Sequence, residues 1–322
     1  PSSGDSKKKP APKPFEAEAP AAPYNAESPK PSSGGTVAFT KALADSLIQL
    51  SESDVRIHAL TAAMPSGTGL VEYSERFPSR FHDTGIPEQH AVAMAAGMAK
   101  AGLRPVAAIY STFLQRGYDQ VFQEVALQGL PVVFALDRAG LVGQDGPTHN
   151  GVFDLAYLRT LPGMVLCAPR DQTDMERMLA AGVALGSPVA LRFPRGNCPP
   201  EVFRAEERRP LEPGKAEVLR EGEHVVIWAY GAMVAIAHEV AQRFERRDVS
   251  IGVVDARYAK PLDEALLAEH TRQYGHIITL EDHQKSGGFG SAVLESWNRL
   301  FRSERDPCLL YTSDAADEHR DV

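Results

Sequence analysis

The fold class is clearest from residues 105–136, which read PVAAIYSTFLQRGYDQVFQEVALQGLPVVFAL. Residues 105–110 and 131–136 are almost continuously apolar and begin at a proline, which is typical of short strands buried on both faces. The residues between them, from Phe113 to Leu127, carry apolar side chains at helical spacing. A strand, a helix and a second strand in this order indicate two parallel strands of one sheet joined by a crossover helix.

The same alternation extends in both directions from this stretch and divides the chain into two ordered segments. The first covers residues 36–195 and the second covers residues 223–305, with a linker rich in proline and charge at 196–222. We therefore predict an α/β fold of two parallel-sheet, three-layer units. Residues 1–35 are rich in Pro, Ala, Ser, Lys and Glu and contain few branched apolar residues, so we expect them to be a disordered linker.

Composition excludes several classes of protein. The 322 residues carry a formal net charge of −8, which argues against a nucleic-acid surface. No apolar run approaches the roughly 20 residues that a membrane-spanning helix needs. The three cysteines, Cys167, Cys198 and Cys308, are odd in number and lack the CxxC spacing of zinc and redox sites. These features predict a cytoplasmic protein with no metal site of its own and no nucleic-acid or membrane partner.

One acidic residue stands where a loop enters a predicted helix. Residues 83–90 read DTGIPEQH, and the Ala-rich helix that follows ends before Gly102. Pro87 fits the first turn, where its missing N–H costs nothing. Glu88 then lies at the positive end of the helix dipole, which favours its ionised form. Taken alone, Glu88 also fits the plainer interpretation of a glutamate that only complements the dipole.

Further polar motifs follow the apolar strands, in the loops where α/β sheets usually bind ligands. They are YSTFLQRGYDQ (110–120), DRAG (137–140), GQDGPTHNG (143–151) and FPRGN (193–197). Together with the Glu-Gln-His at 88–90, these motifs resemble the transketolase-like thiamine-diphosphate family over residues 36 to about 300. Within that family they are most similar to the 1-deoxy-D-xylulose-5-phosphate synthases.

The resemblance implies a transferase that joins pyruvate to glyceraldehyde 3-phosphate and releases carbon dioxide. That reaction serves isoprenoid and thiamine biosynthesis and uses thiamine diphosphate and Mg²⁺. By resemblance, Glu88 hydrogen-bonds the aminopyrimidine ring and so promotes removal of the thiazolium C2 proton. Phe113 and Tyr110 are implied as further cofactor contacts, and His149 as a second catalytic residue.

The resemblance also implies a set of substrate-binding residues. They are Tyr110, Arg116, Arg138, Asp145, His149 and Arg195. Arg138 and Arg195 match a pair that holds the aldehyde's phosphate, a task that suits the two parallel hydrogen bonds of a guanidinium. From the residues alone, Phe113 fits a core position equally well, and His149 and the arginines fit exposed positions.

A complete cofactor site needs a second half. Family members bind magnesium and diphosphate on another domain, through a Gly-Asp-Gly motif followed by an Asn. Residues 144–146 (QDG) do not match this motif and belong to the predicted substrate loop. We therefore expect the chain to be a fragment without that domain, inactive in isolation, and part of a homodimer in the complete enzyme.

The second segment contains YAKPLD (258–263) and EDHQKSGGFG (281–290), which resemble the transketolase C-terminal domain. The glycine cluster lacks the Gly-Lys-Ser/Thr ending of a phosphate loop, and we expect Glu281 and His283 to be structural. Residues 308–318 (CLLYTSDAADE) resemble a translated sequencing adapter. This predicts a non-native tail at 306–322, a truncated second domain and an unpaired sheet edge.

Two other functions remain open. Another transketolase-like enzyme, such as the beta subunit of a 2-oxoacid dehydrogenase, would explain a separately encoded half-site. A non-catalytic domain that only dimerises or binds partners is the second alternative. The STFLQR and DRAG segments weigh against the first, and the joint presence of Glu88, Arg138 and Arg195 weighs against the second.

Overall fold

The computed structural model describes residues 36–200 and 211–301, together with the backbone of residues 309–314. The helices are α1 (Phe39–Ser53), α2 (Val71–Arg76), α3 (Glu88–Lys100), α4 (Ser111–Leu114), α5 (Tyr118–Gln120), α6 (Asp154–Leu158), α7 (Gln172–Leu185), α8 (Met233–Glu245), α9 (Glu264–Gln273) and α10 (Phe289–Phe301). The strands are β1 (Ile57–Thr61), β2 (Phe81–Asp83), β3 (Arg104–Tyr110), β4 (Val133–Asp137), β5 (Val165–Cys167), β6 (Val189–Arg192), β7 (Glu217–Arg220), β8 (Val225–Ala229), β9 (Ile251–Asp255), β10 (Tyr258–Lys260), β11 (His276–Glu281) and β12 (Leu309–Asp314). The predicted linker at 1–35 lies outside the described residues.

Seven strands form the first sheet, in the order β10-β5-β6-β4-β3-β1-β2. All neighbouring pairs are parallel except β10 with β5. Strands β4 and β6 are buried along their whole length, as their continuous apolar sequence predicts for strands covered on both faces.

Helices cover both faces of this sheet, and the side chains of each strand alternate between the two layers. On one face, Ala107 and Ile109 of β3 pack in one apolar cluster with the alanines of α3. On the other face, Val106 and Ala108 pack in a second cluster with residues of α1 and α7. The first unit is therefore the predicted three-layer sandwich, with its apolar core divided by the sheet.

The second sheet has five strands, in the order β12-β11-β8-β9-β7. Its pairs are parallel except β7 with β9, which are antiparallel. Helix α8 packs in an apolar cluster with one face of β8 and β9, and residues of α9 and α10 pack in the cluster on the other face. The predicted α/β fold is confirmed.

The two sheets are less separate than the sequence suggests. Strand β10 follows β9 in the chain but pairs with β5, so the second half of the chain supplies an edge strand of the first sheet. One apolar cluster also contains residues of both halves, including Leu166 and Trp228. The halves therefore share a sheet and a core.

The segment after β3 differs from the single helix predicted over 113–127. Helices α4 and α5 flank a 3₁₀ turn at Gln115–Gly117, and a π-helix follows at Val121–Ala126. Gly117 lies against α3, and a methyl group at its position would sit 3.3 Å from Cγ2 of Val92. The apolar spacing does not encode these changes of helical pitch, which accompany close packing on α3.

Two further segments differ from expectation. Strand β7 lies inside the predicted linker at 196–222, so ordered structure of the second unit begins before residue 223. The backbone of residues 309–314 pairs with β11, so the sheet edge predicted to be unpaired carries a strand. The origin of the tail and the domain boundaries stay predictions.

Among the described residues, no helix is both long and apolar enough to cross a bilayer.

Candidate functional site

Except for Glu88, which follows β2, the residues predicted for the site lie at or after the carboxyl ends of three adjacent strands. Strand β3 ends at Tyr110 and β4 at Asp137, while Arg195 lies three residues after the end of β6. Because these strands are parallel neighbours in the order β6-β4-β3, their carboxyl ends meet at one edge of the sheet. This is the edge where α/β folds bind ligands.

Glu88 is the first residue of α3, as predicted, and its side chain is buried, with a residue exposure of 4%. Pro87 is the N-cap residue, with a ψ of 98°, and so lies one position before the first turn assigned to it from the sequence. The Glu88 Oε2 atom lies 3.4 Å from Nε of Arg116, yet this buried oxygen accepts no hydrogen bond. A buried carboxylate oxygen without a donor is costly, so this atom fits a ligand that brings a donor to it.

Three predicted residues form an aromatic cluster. The rings of Tyr110 and Phe113 are stacked, with centroids 5.5 Å apart and an interplanar angle of 13°. The His149 ring meets Phe113 edge-on, with centroids 5.3 Å apart. The guanidinium of Arg138 lies over the Tyr110 ring, 4.2 Å from its centroid. Burial raises the pKa of Tyr110, so its hydroxyl keeps its proton and remains a donor near neutral pH.

Arg138 is fixed by its surroundings. Its backbone has a φ of +58°, in the left-handed region that is unusual for a residue other than glycine. Its Nη1 donates to the carbonyl of Gly67 and to Oδ2 of Asp137, both at 2.8 Å. Its Nε is buried and has no hydrogen-bond partner. The two hydrogen bonds of Nη1 therefore hold the side chain in one orientation.

Asp137 is a site residue that the sequence analysis does not identify. It is fully buried at the end of β4, and its Oδ1 accepts the backbone N–H of Arg138 at 2.7 Å. Its Oδ2 accepts Oγ1 of Thr40, from α1, at 3.0 Å. Burial raises its pKa from the usual 3.8 to about 6, although Arg138 and Thr40 act in the opposite direction. The available signal is an acidic residue directly after a continuous apolar strand.

Asp145 connects the two arginines predicted to bind phosphate. Its Oδ1 accepts Nη1 of Arg195 at 2.5 Å, and its Oδ2 lies 3.6 Å from Nε of Arg138. We call Arg138, Asp145 and Arg195 the arginine cluster. The Arg195 side chain is 38% exposed, so its guanidinium can receive an anion from solvent.

The structure thus arranges the predicted residues in two groups. Tyr110 contacts Arg138 of the arginine cluster, Phe113 stacks on Tyr110 and His149 meets Phe113, whereas Glu88 contacts Arg116. The segment that follows β3 carries both Phe113 and Arg116 and so connects the groups. Among the described residues, no group of three or more His, Cys, Asp and Glu side chains is arranged to hold a metal ion.

The chain matches two family models. That of "Transketolase, pyrimidine binding domain" covers residues 35–201, and that of "Transketolase, C-terminal domain" covers residues 214–319. Among solved structures, a "Split gene transketolase, inactive beta4 tetramer" is 32% identical, with a TM-score of 0.77 over 87% of this chain and 90% of that one. Transketolase from Leishmania mexicana, 19% identical with a TM-score of 0.69 over 88% of this chain and 48% of that one, shares the fold.

Curated relatives at higher identity carry a more specific name. The chain is 54% identical to the 1-deoxy-D-xylulose-5-phosphate synthase of Magnetococcus marinus over 268 residues, which are 82% of this chain and 42% of that protein. It is 51% identical to the enzyme of the same name from Aquifex aeolicus over 284 residues, 86% of this chain and 44% of that protein. The chain thus spans less than half the length of these relatives. The resemblance seen in the motifs is confirmed, and the chain belongs to the transketolase family, with similarity to its 1-deoxy-D-xylulose-5-phosphate synthases.

Proposed function

We propose that this chain supplies the pyrimidine-binding part of a cytoplasmic 1-deoxy-D-xylulose-5-phosphate synthase. The observation that carries the proposal is the buried Oε2 of Glu88, which accepts no hydrogen bond although it lies at the start of α3. The names of the curated relatives support the choice among transketolase-like enzymes. The reaction proposed is the condensation of pyruvate with glyceraldehyde 3-phosphate, with loss of carbon dioxide.

The cofactor proposed is thiamine diphosphate, which, when bound, supplies a nucleophilic carbon for the condensation. Glu88 would hold its aminopyrimidine through the free carboxylate oxygen. The ring stack of Phe113 on Tyr110 offers an apolar surface beside which a flat heterocycle can pack. We propose that Mg²⁺ and the diphosphate are held by a separate domain, for which proteins of the relatives' length have room.

On the substrate side, Arg138 and Arg195 would bind the phosphate of the aldehyde. The Nε of Arg138, which makes no hydrogen bond, and the exposed Arg195 side chain support this assignment. Asp145 contacts both guanidinium groups and so orients them relative to each other. His149 would hold or transfer a proton at Nε2, since its Nδ1 lies 3.0 Å from Oγ1 of Thr148. The Tyr110 ring would hold the Arg138 guanidinium in place by packing against it, and Arg116 would balance the charge of Glu88.

We further propose that the chain is inactive alone and works in a homodimer of the complete enzyme. A solved relative that matches most of this chain is described as the inactive beta4 tetramer of a split-gene transketolase. The same need for a complementing part would apply here, because Glu88 and the arginine cluster hold only the pyrimidine and the substrate in this proposal.

The test is complementation. The chain is mixed with the separately expressed N-terminal part of the Magnetococcus marinus enzyme, thiamine diphosphate and Mg²⁺, and the formation of 1-deoxy-D-xylulose 5-phosphate is measured. We expect product from the mixture and none from either part alone. Glu88→Gln in the chain should lower the rate by about 10² to 10⁴, the usual contribution of acid–base catalysis, with the circular dichroism spectrum unchanged.

A Glu-to-Gln substitution at the surface is the matched control for Glu88→Gln. Glu52→Gln removes an exposed carboxylate that pairs with Arg76, and we expect a normal rate. Product made equally well by the Glu88→Gln chain would contradict the assignment of Glu88. Transfer of an acetyl group to a lipoyl acceptor, without ketose phosphate, would favour the 2-oxoacid dehydrogenase alternative.

A further inference from the structure

The loop that carries Asp145 and His149 is closed at its two ends. Gly140 donates its N–H to the carbonyl of Gly151 at 2.9 Å, and Gly151 donates to the carbonyl of Gly140 at 2.8 Å. Gly140 has a φ of +81°, which favours glycine. A methyl group at Gly151 would overlap the side chain of Ser111. We call residues 140–151 the substrate loop.

The second half of the chain contacts this loop through one carboxylate. Asp282, directly after β11, accepts the backbone N–H of Leu141 on Oδ1 at 3.1 Å. The same carboxylate occupies the space beside Gly140, where any side chain would overlap it. The Asp282 carboxylate thus accepts the N–H of Leu141 and fills the space that a side chain at position 140 would occupy. Together these two contacts fix this end of the loop.

Asp282 is itself held in place by the first half of the chain. Nη2 of Arg192, at the end of β6, donates to the backbone carbonyl of Asp282 at 3.0 Å and to that of Gly151 at 3.4 Å. Nε of Arg192 donates to Asp154 at 3.0 Å, and Nε2 of His283 lies 3.3 Å from the same carboxylate. These groups are buried, so the segment that carries Asp282 has a defined position relative to both ends of the loop.

We propose that Asp282 is a positioning residue for the substrate site: it sets the position of the substrate loop and hence of Asp145 and His149. This inference rests on the proposed function, because it assigns a task to the loop in binding the aldehyde phosphate. It gives the second half of the chain a part in the site, since Asp282 lies beyond β11 of the second sheet.

Hydrogen exchange of the purified chain tests the anchoring directly and needs no activity. In Asp282→Ala, the amides of residues 141–150 should exchange about tenfold faster, because one hydrogen bond to a charged acceptor is lost. Asp282→Asn keeps an oxygen that can accept the Leu141 N–H, so its exchange should stay within about twofold of wild type.

Kinetics of the complemented enzyme test the consequence for substrate. We expect Asp282→Ala to raise the KM for glyceraldehyde 3-phosphate about tenfold, with kcat and the KM for pyruvate changed less than about threefold. Asp282→Asn should restore the KM. A role in general stability alone would not produce this selective change, nor its rescue by the isosteric amide.

Asp263→Ala is the matched control from the same half of the chain. Asp263 accepts the backbone N–H groups of Ala216 and Leu266, both at 3.1 Å, within the second half. Its loss should leave the exchange of the substrate loop and the KM for the aldehyde unchanged. Unchanged loop exchange or unchanged KM in Asp282→Ala would overturn the positioning role. A complemented wild type that makes no product would contradict the proposed function instead, and the exchange data would still decide the anchoring.

Discussion

Asp137 is a buried acid whose charge state links the stability of the fold to the shape of the site. It accepts hydrogen bonds from Arg138 and Thr40, and burial nonetheless raises its pKa to about 6. The folded chain therefore binds a proton more tightly at this residue than the unfolded chain does. Between the usual pKa of 3.8 and about 6, the contribution of Asp137 to the free energy of unfolding falls as pH rises.

We expect the difference in the free energy of unfolding between wild type and Asp137→Asn to depend on pH. The wild type should lose about 2 kcal/mol of unfolding free energy relative to the variant between pH 4 and 6, because only the wild type becomes charged there. Urea unfolding at half-unit pH intervals measures the difference. A wild-type stability, relative to the variant, that stays constant over this range or increases with pH would show that Asp137 does not titrate as its burial implies.

Among the elements, helix α9 shows how a short helix is joined to its neighbours. Asp263 caps its first turn by accepting the N–H of Leu266, and it also accepts the N–H of Ala216, next to β7. One carboxylate thus caps a helix and also binds the backbone just before β7, the first strand of the second sheet in chain order. Such caps are worth about 1 kcal/mol, and the second hydrogen bond adds to this.

We expect Asp263→Ala to lower the free energy of unfolding by about 1 to 3 kcal/mol. Asp263→Asn keeps the acceptor oxygen and should cost less. Denaturant unfolding at constant pH measures both values. Equal losses in the two variants would point to the charge of Asp263, which lies 3.9 Å from Lys215, and not to the cap.

The sequence predicts the longer elements well because their signals are local. Helix α3 begins at the predicted Glu88, and β3 and β4 fall within two residues of their expected bounds. Strands β2 and β10 are missed, since three residues show no period and gain their structure from tertiary pairing. The π-helix at Val121–Ala126 is missed because apolar spacing cannot distinguish helical pitches that differ by a fraction of a residue.

The site follows the same rule. Residues carried in local motifs, such as Arg138 and Asp145, are predicted, and the structure places them in contact. Asp137 gives a weak signal, an acid at the end of an apolar strand. Asp282 gives none for its role at the substrate loop, because that contact joins residues 141 positions apart in the chain. Supporting residues of a site depend on such long-range contacts, which a single sequence does not reveal.

At the scale of the whole molecule, the two halves of the chain share buried structure. Besides β10 and the common core, Arg170 of the first half donates to Glu217 and Asp255 of the second, both at 2.9 Å. Glu217 also accepts Nη2 of Arg257 at 2.5 Å, and all four side chains are buried. Separating the halves would break both of these Arg170 ion pairs, which are buried in the folded chain.

The described residues should therefore unfold in one cooperative transition. Both tryptophans, Trp228 and Trp297, belong to the second half, whereas far-ultraviolet circular dichroism reports on the helices of both halves. We expect the two signals to give the same urea midpoint. A fluorescence midpoint well separated from the dichroism midpoint would mean that the second half unfolds independently, against the shared sheet and core.

The position of β10 has a consequence for how the protein is made. One edge of β5 stays unpaired until β10, which lies about 90 residues later in the chain, has been synthesised. At typical rates of translation this is a delay of about 5 to 20 seconds, during which the ribosome-bound chain exposes an open strand edge. The first sheet cannot be finished by a nascent chain that stops between the two halves. A gene cut at the boundary between the two family matches would likewise encode a pyrimidine-binding domain with that edge open.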